Sequence, residues 1–205
     1  IEKIQIGKFW DSKSRTFLQY QPDRITERRN VVVPNKIATA CEAFLGAYRL
    51  TKKNIYRKMA VTASMSILNH QDMHAHPGGI YQSDIHTLII HYYTARCIPV
   101  LIELFKLTKD ERYVDSARAA VSYIQKHRLE NGFFSFGDCL DEKKNRRAPI
   151  FLAGAGDVGR AFDVMADYQS ISSKSVVRAL LSVQRENGAF PAKWERVPGV
   201  GRTIH

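Results

Sequence analysis

The chain has little cysteine and no long apolar run, and each lack narrows what it is. Three cysteines, Cys41, Cys97 and Cys139, are widely spaced and form no Cys-x-x-Cys pair. That supports neither a disulfide framework nor a zinc knuckle, and buried free thiols are expected instead. The longest apolar stretches, such as Cys97-Ile-Pro-Val-Leu-Ile102, fall far short of the roughly 20 residues that span a bilayer. No charged-then-apolar leader opens the chain, so a soluble protein without membrane contact is expected, the unpaired thiols favouring the cytoplasm. Zinc-finger spacing and aromatic RNA-binding signatures are also missing, and nucleic acid is not expected as a partner.

Charge of one sign is plentiful. The net charge is +11, and the basic residues gather in Arg24 to Arg29, Lys126 to Arg128 and Lys143 to Arg147. Such clusters either form a solvated loop surface or attract an anionic polymer, for which an acidic polysaccharide would serve.

The chain repeats itself. Arg49-Leu-Thr-Lys-Lys-Asn-Ile-Tyr-Arg-Lys-Met-Ala60 aligns with Lys106-Leu-Thr-Lys-Asp-Glu-Arg-Tyr-Val-Asp-Ser-Ala117 at Leu, Thr, Lys, Tyr and Ala. A second phrase, Gln, a gap, Gly, one residue and an aromatic, occurs at Gln71/Gly79/Tyr81, Gln125/Gly132/Phe134 and Gln184/Gly188/Phe190. In one unit, a mostly apolar helix from Asp84 to Leu107 is buried, and a Thr-Lys-Asp loop turns the chain. An outer helix from about Arg112 to Lys126 then carries Val114, Ala117, Val121 and Ile124 at helical steps. Glycine closes it by adopting the left-handed conformation.

Buried-inner, amphipathic-outer hairpins of this kind resemble the α/α toroid of six-hairpin glycosidases, epimerases and polysaccharide lyases. The glycine-aromatic phrase is also similar to the repeat of terpene cyclases and protein prenyltransferases, although Phe stands where the cyclase repeat has Trp. The resemblance implies an all-α fold of helical hairpins forming part of an (α/α)n toroid. A single domain over 1–205 is expected: an opening turn and loop (1–33), hairpins at 34–82, 83–147 and 148–187, and an exit turn (188–205). Since a six-hairpin barrel needs about twice this length, the chain is expected to be part of a longer toroid.

Phe151-Leu-Ala-Gly-Ala-Gly-Asp-Val-Gly-Arg160 contains a complete Gly-x-Gly-x-x-Gly. A dinucleotide site would need a second strand with an acidic residue about twenty positions on. Residues Ser175 to Leu180 instead read as an amphipathic helix without an acid. The segment is therefore expected to be the third inner helix, starting at Pro149, with glycines that admit a close neighbour. No cofactor follows from it. Asp157 within it is a catalytic candidate if it faces open space, because a carboxylate on a buried helix is costly unless paired.

In a toroid the outer-to-inner turns and the inner-helix amino termini share one mouth, where free N–H groups favour anionic or polyhydroxylated ligands. Candidates are taken from those turns. Asp84 and His86 are proposed for acid-base work, Asp84 or Ser83 being equally suited to capping a helix. Glu195 joins them as a carboxylate of the last turn. His74, His76, Tyr81, Phe134, Arg146, Arg147 and Trp194 are the substrate-binding candidates, with Phe134 and Phe190 alternatively pinning turns to the core. A metal on His74 and His76 is a weaker option, and no metal site is assigned.

These pieces point to a carbohydrate-active enzyme, a glycoside hydrolase, lyase or epimerase, acting either on a neutral oligosaccharide or on a uronic acid-containing polysaccharide. Alternatives are an isoprenoid cyclase or prenyltransferase relative, although neither an Asp-x-Asp-Asp donor nor a complete zinc set occurs in the chain, and a noncatalytic helical-repeat binding module.

Overall fold

The computed structural model describes residues 32–135 and 150–191, with the backbone of short strands at 10–11, 16–17, 193–197 and 200–204. Among the described residues there are six helices: α1 (Pro34–Thr51), α2 (Asn54–Asn69), α3 (His91–Thr108), α4 (Glu111–Lys126), α5 (Leu152–Met165) and α6 (Lys174–Ser182). Consecutive helices pair as hairpins, and α3 packs between α1 and α5 in an inner layer. The helices α2, α4 and α6 lie outside. None of the described helices is long and apolar enough to cross a membrane.

The first repeated phrase makes the tight turns. Thr51 and Thr108 end α1 and α3, and their hydroxyls donate to the carbonyls of Ala47 and Leu104. The next residues, Lys52 and Lys109, are left-handed at φ 57° and 61° and donate their N–H groups to Tyr48 and Phe105. One residue further on, the N–H groups of Lys53 and Asp110 donate back to the same threonine hydroxyls. Leu-Thr-Lys thus encodes a helix stop that satisfies its own carbonyls. The Asp110 carboxylate then caps α4 through the Arg112 N–H.

Burial follows the two helix types. In α3, Ala95, Cys97, Ile98, Val100, Leu101, Ile102 and Leu104 are all buried, as an inner helix requires. In α4 the expected stripe Val114, Ala117, Val121 and Ile124 is buried, while Asp115, Arg118 and Ser122 are exposed. Each large aliphatic side chain removed from water contributes about 1.5–3 kcal/mol. A buried hydrogen bond of 2.9 Å between the hydroxyls of Ser64 and Tyr113 joins α2 to α4. Cys41 and Cys97 are buried free thiols, and burial pushes both up, so they stay protonated.

The second phrase makes the returning turns, in a register that differs from the sequence alignment. Leu129 N–H donates to the Phe133 carbonyl and Arg185 N–H to that of Ala189, while Asn131 and Asn187 receive N–H groups two residues on. In the first unit the same closure runs from Asp72 N–H to Gly79. This places Gly78, not Gly79, with Gly132 and Gly188, and these three are the described glycines at positive φ: 93°, 85° and 81°. It also places Arg128, not Gln125, with Gln71 and Gln184, whose side chains donate to the carbonyls of Gly78 and Gly188. The aromatic position becomes Ile80, Phe134 and Phe190. Ile80 and Phe134 are buried, whereas Phe190, at the edge of the array, is exposed.

Two helix starts differ from expectation. Residues 81–90 do not begin α3 but form an antiparallel hairpin of β3 (Tyr81–Ser83) and β4 (His86–Ile89), for which the β-branched run Thr87, Ile89 and Ile90 is suited. Asp84 sits in its turn, so neither it nor Ser83 caps a helix; the residue before α3 is Ile90. Likewise α5 starts at Leu152, because β5 (Ile150–Phe151) pairs with β6 (Lys193–Val197), which continues to β7 (Val200–Ile204). Near the start of the chain, β1 (Trp10–Asp11) pairs with β2 (Thr16–Phe17).

A Cβ at Gly78 would lie 2.0 Å from the Ala119 carbonyl oxygen, whereas one at Gly46, inside α1, meets nothing within 4 Å. Urea unfolding should therefore show Gly78→Ala losing at least about 2 kcal/mol, and Gly46→Ala gaining about 0.5–1 kcal/mol from the lost helix-glycine entropy.

Candidate functional site

Because each inner helix is followed by an outer one running back, α1, α3 and α5 point the same way and their amino termini share one end. Val33, Ile90 and Phe151 precede them, and none supplies a side-chain cap. Three uncapped helix starts thus bring partial positive charge to one place. A cavity of about 380 Å³ opens there. Asn35, Lys36 and Thr39 line it from α1, Tyr92, Tyr93 and Arg96 from α3, and Phe151, Gly154 and Asp157 from the start of α5. Thr39, Arg96 and Asp157 are each the sixth residue of their helix.

Aromatic rings make one wall. Tyr92 meets Phe151 and Tyr93 edge-on, with centroids 6.2 and 6.0 Å apart. Tyr92 can lie against α5 only because residue 154 is glycine, since a Cβ there would fall 2.5 Å from the ring. This is the close approach expected of the glycine motif, but it holds for one glycine of the three. Gly156 faces open space, and a Cβ at Gly159 would make an ordinary contact with Val176.

Charge makes the other wall. Arg96 donates through Nη1 to Asp157 Oδ1 at 3.1 Å and through Nη2 to Glu42 Oε2 at 3.3 Å. Arg160 Nη1 lies 2.7 Å from Glu42 Oε1. Burial pushes the Asp157 carboxyl above the ordinary aspartate range; Arg96 and Arg160 pull the other way without cancelling it, and Glu42 adds to the rise. Lys36 has no carboxylate partner among the described residues.

Of the residues named from the sequence, the cavity takes in Asp157, which faces both open space and a neighbouring helix. His74, His76, Tyr81, Asp84, His86 and Phe134 lie elsewhere. His74 and His76 belong to a turn closed by Asp72: their backbone N–H groups donate to its two carboxylate oxygens, each at 2.8 Å. The Ala75 N–H and the Tyr81 hydroxyl bond the same carboxylate. Burial pushes Asp72 up, but these hydrogen bonds outweigh it and hold the carboxyl below its ordinary value. With its lone pairs taken, Asp72 is a loop staple, and among the described residues no cluster of three or more metal-ligating side chains forms.

Asp84 is exposed and ties the hairpin turn to the start of α1: the Val32 N–H donates to its Oδ1 at 3.1 Å, and its own N–H donates to the Val32 carbonyl. His86 is exposed on β4. Phe134 is buried between His91 and Phe162, in the pinning role. Trp194 and Glu195 lie on β6, where the backbone of Trp194 pairs with Ile150 and that of Lys193 with cavity residue Phe151. Arg146 and Arg147 lie outside the described residues. Sequence reasoning missed Lys36, Tyr92, Tyr93 and Arg96. The available signal was polar and aromatic residues at matching positions in the first two turns of otherwise apolar helices.

No protein-family model matches the chain, and no curated protein matches it in sequence. Solved structures do. The unsaturated glucuronyl hydrolase of Bacillus sp. GL1, responsible for glycosaminoglycan degradation, matches with a TM-score of 0.72 at 10% identity, over 94% of this chain and 58% of that one. A possible member of the GH105 family from Salmonella enterica serovar Paratyphi A matches with a TM-score of 0.74 at 9% identity, over 94% and 54%. The cellobiose 2-epimerase of Bacillus thermoamylovorans matches with a TM-score of 0.68 at 15% identity, over 87% and 52%. The fold is thus that of the α/α toroids, and the chain spans little more than half the length of these three structures.

Asp72→Ala should cost about 1–2 kcal/mol at pH 7, as part-buried N–H groups of the turn lose their acceptor. Since its native carboxyl titrates below the unfolded one, the wild type should lose this advantage as pH falls below about 3.9, and the gap between the two urea-unfolding curves should close.

Proposed function

We propose that the chain is the half of a carbohydrate-active toroid that carries the proton donor, and that the cavity at the inner-helix mouth binds a sugar. The observation that carries this is Asp157: a half-buried carboxyl with a raised affinity for its proton, in a cavity walled by Tyr92, Tyr93 and Phe151. Aromatic faces stack on the C–H faces of sugar rings, and Asn35, Thr39 and Arg96 supply groups for hydroxyls. Solved structures of the same fold, named as a glucuronyl hydrolase and an epimerase, act on sugars, which supports the same reading.

Glycosidic hydrolysis fits this arrangement best. Protonated Asp157 donates its proton to the leaving oxygen as the bond to the anomeric carbon breaks, and water adds to that carbon. A second carboxylate activates the water. We assign that part to Glu195, carried by the strand whose backbone pairs with Ile150 and Phe151 at the cavity. Asp84 and His86 keep a supporting part through the hairpin turn held to the start of α1. Lys36, beside three uncapped helix starts, fits the carboxylate of a uronic acid. The domain is read as a single toroid unit of three hairpins.

With oligosaccharides ending in either a neutral sugar or a uronic acid, Asp157→Asn should lower turnover 10²- to 10⁴-fold while substrate still binds. The wild-type rate should fall as pH rises through the Asp157 titration. Lys36→Ala should raise KM about tenfold for the uronate alone. Unchanged turnover in Asp157→Asn removes the assignment, and binding without any turnover in the wild type makes the chain a binding module.

A further inference from the structure

Glu42 sits on α1 and divides its carboxylate between two guanidinium groups. Oε2 accepts from Arg96 at 3.3 Å, and Oε1 pairs with Arg160 at 2.7 Å. The resulting chain, Arg160 to Glu42 to Arg96 to Asp157, starts on α5, crosses α1 and α3, and returns to α5. An arginine fork pairs most strongly with one carboxylate through two parallel N–H groups. Here the fork is split, one nitrogen to each acid.

The geometry points to Glu42 as a positioning residue that draws Arg96 out of a two-nitrogen grip on Asp157, so that Arg96 holds Oδ1 alone and Oδ2 stays open to the cavity. This rests on the reading of Asp157 as the proton donor and adds what keeps it one. A carboxylate held by a full fork stays ionised. One held by a single nitrogen, with a second negative charge nearby, keeps its protonated form within reach. Among the described residues no hydrogen bond to Oδ2 competes with a ligand.

The groups that face Asp157 are few. From α3 they are Arg96, with Tyr92, Tyr93 and the protonated Cys97; from α1 they are Lys36 and Glu42, with protonated Cys41 behind; on α5 itself Arg160 lies one turn on. From α6 the residue nearest α5 at Gly159 is apolar Val176, and Lys174 and Arg178 are exposed. On α4 the charged residues Glu111, Arg112, Asp115, Arg118 and Lys126 are likewise exposed. Glu42 is therefore the anion whose removal changes both the local charge and the freedom of Arg96.

The test is a carbon-13 NMR titration of the Asp157 carboxyl in the intact chain without substrate. Glu42→Gln should lower the midpoint by about one pH unit, and Glu42→Asp should restore most of it. Arg160→Gln, at a partly exposed residue, frees Glu42 to engage Arg96 more fully and should move the midpoint up. Opposite shifts in the two variants support the proposal; an unmoved or raised midpoint in Glu42→Gln, or a lowered one in Arg160→Gln, overturns it. If Glu42→Gln fails to fold, Arg160→Gln carries the test. Since no substrate is present, either result stands whatever turnover Asp157→Asn retains.

Discussion

The structure depends on a backbone contact that glycine alone permits. Each returning turn holds a left-handed glycine, and in the first two units that glycine presses on the outer helix of the next hairpin. A Cβ at Gly78 would meet Ala119 of α4, and one at Gly132 would come within 3.1 Å of Ser175 of α6. This close approach sets the offset from one hairpin to the next, because a side chain in the gap would push the outer helices apart. Gln71 reinforces it by donating to the Ser116 carbonyl on α4 as well as to its own turn. Most of the packing joins neighbouring hairpins, as in other helical repeats, while the Arg160–Glu42 pair reaches from the third hairpin to the first.

The site is a consequence of that stacking. Once the hairpins are held at a common offset, the inner helices begin at one level, and side chains at the same helical position converge. Thr39, Arg96 and Asp157 meet although they are 57 and 61 residues apart in the chain. None is unusual in its own helix. Together they form a half-buried polar wall in which the Asp157 carboxyl is pulled toward its protonated form by burial and toward ionisation by Arg96, with burial prevailing.

Much of the fold was legible in the sequence. The Leu-Thr-Lys repeat marked both tight turns, and the stripe through Val114, Ala117, Val121 and Ile124 marked an outer helix. Register was less legible. Gly79 and Gln125 matched the repeat by letter, but the turn from Asp72 to Gly79 is longer than the turn from Leu129 to Phe133, which shifts the equivalence to Gly78 and Arg128. The hairpin at 81–89 was hidden because an apolar run before a helix reads as more of that helix until a strand partner is known. His74, His76 and Tyr81 stand in a turn closed on Asp72, while the cavity draws on Lys36, Tyr92, Tyr93 and Arg96, which no local pattern singled out.

What the sequence by itself determined was the unit: a buried helix, a Thr-Lys stop, an amphipathic helix and a glycine turn. These follow from hydrophobic period and backbone conformational preference, which act over a few neighbouring residues. Only the tertiary structure decided which units' side chains share a space. Gly154 shows the division. The motif around it was plain in the chain, yet its purpose, room for the Tyr92 ring, was set by a residue 62 positions away. Contacts of that range depend on how far each hairpin is rotated and raised against the last, and no local pattern carries that quantity.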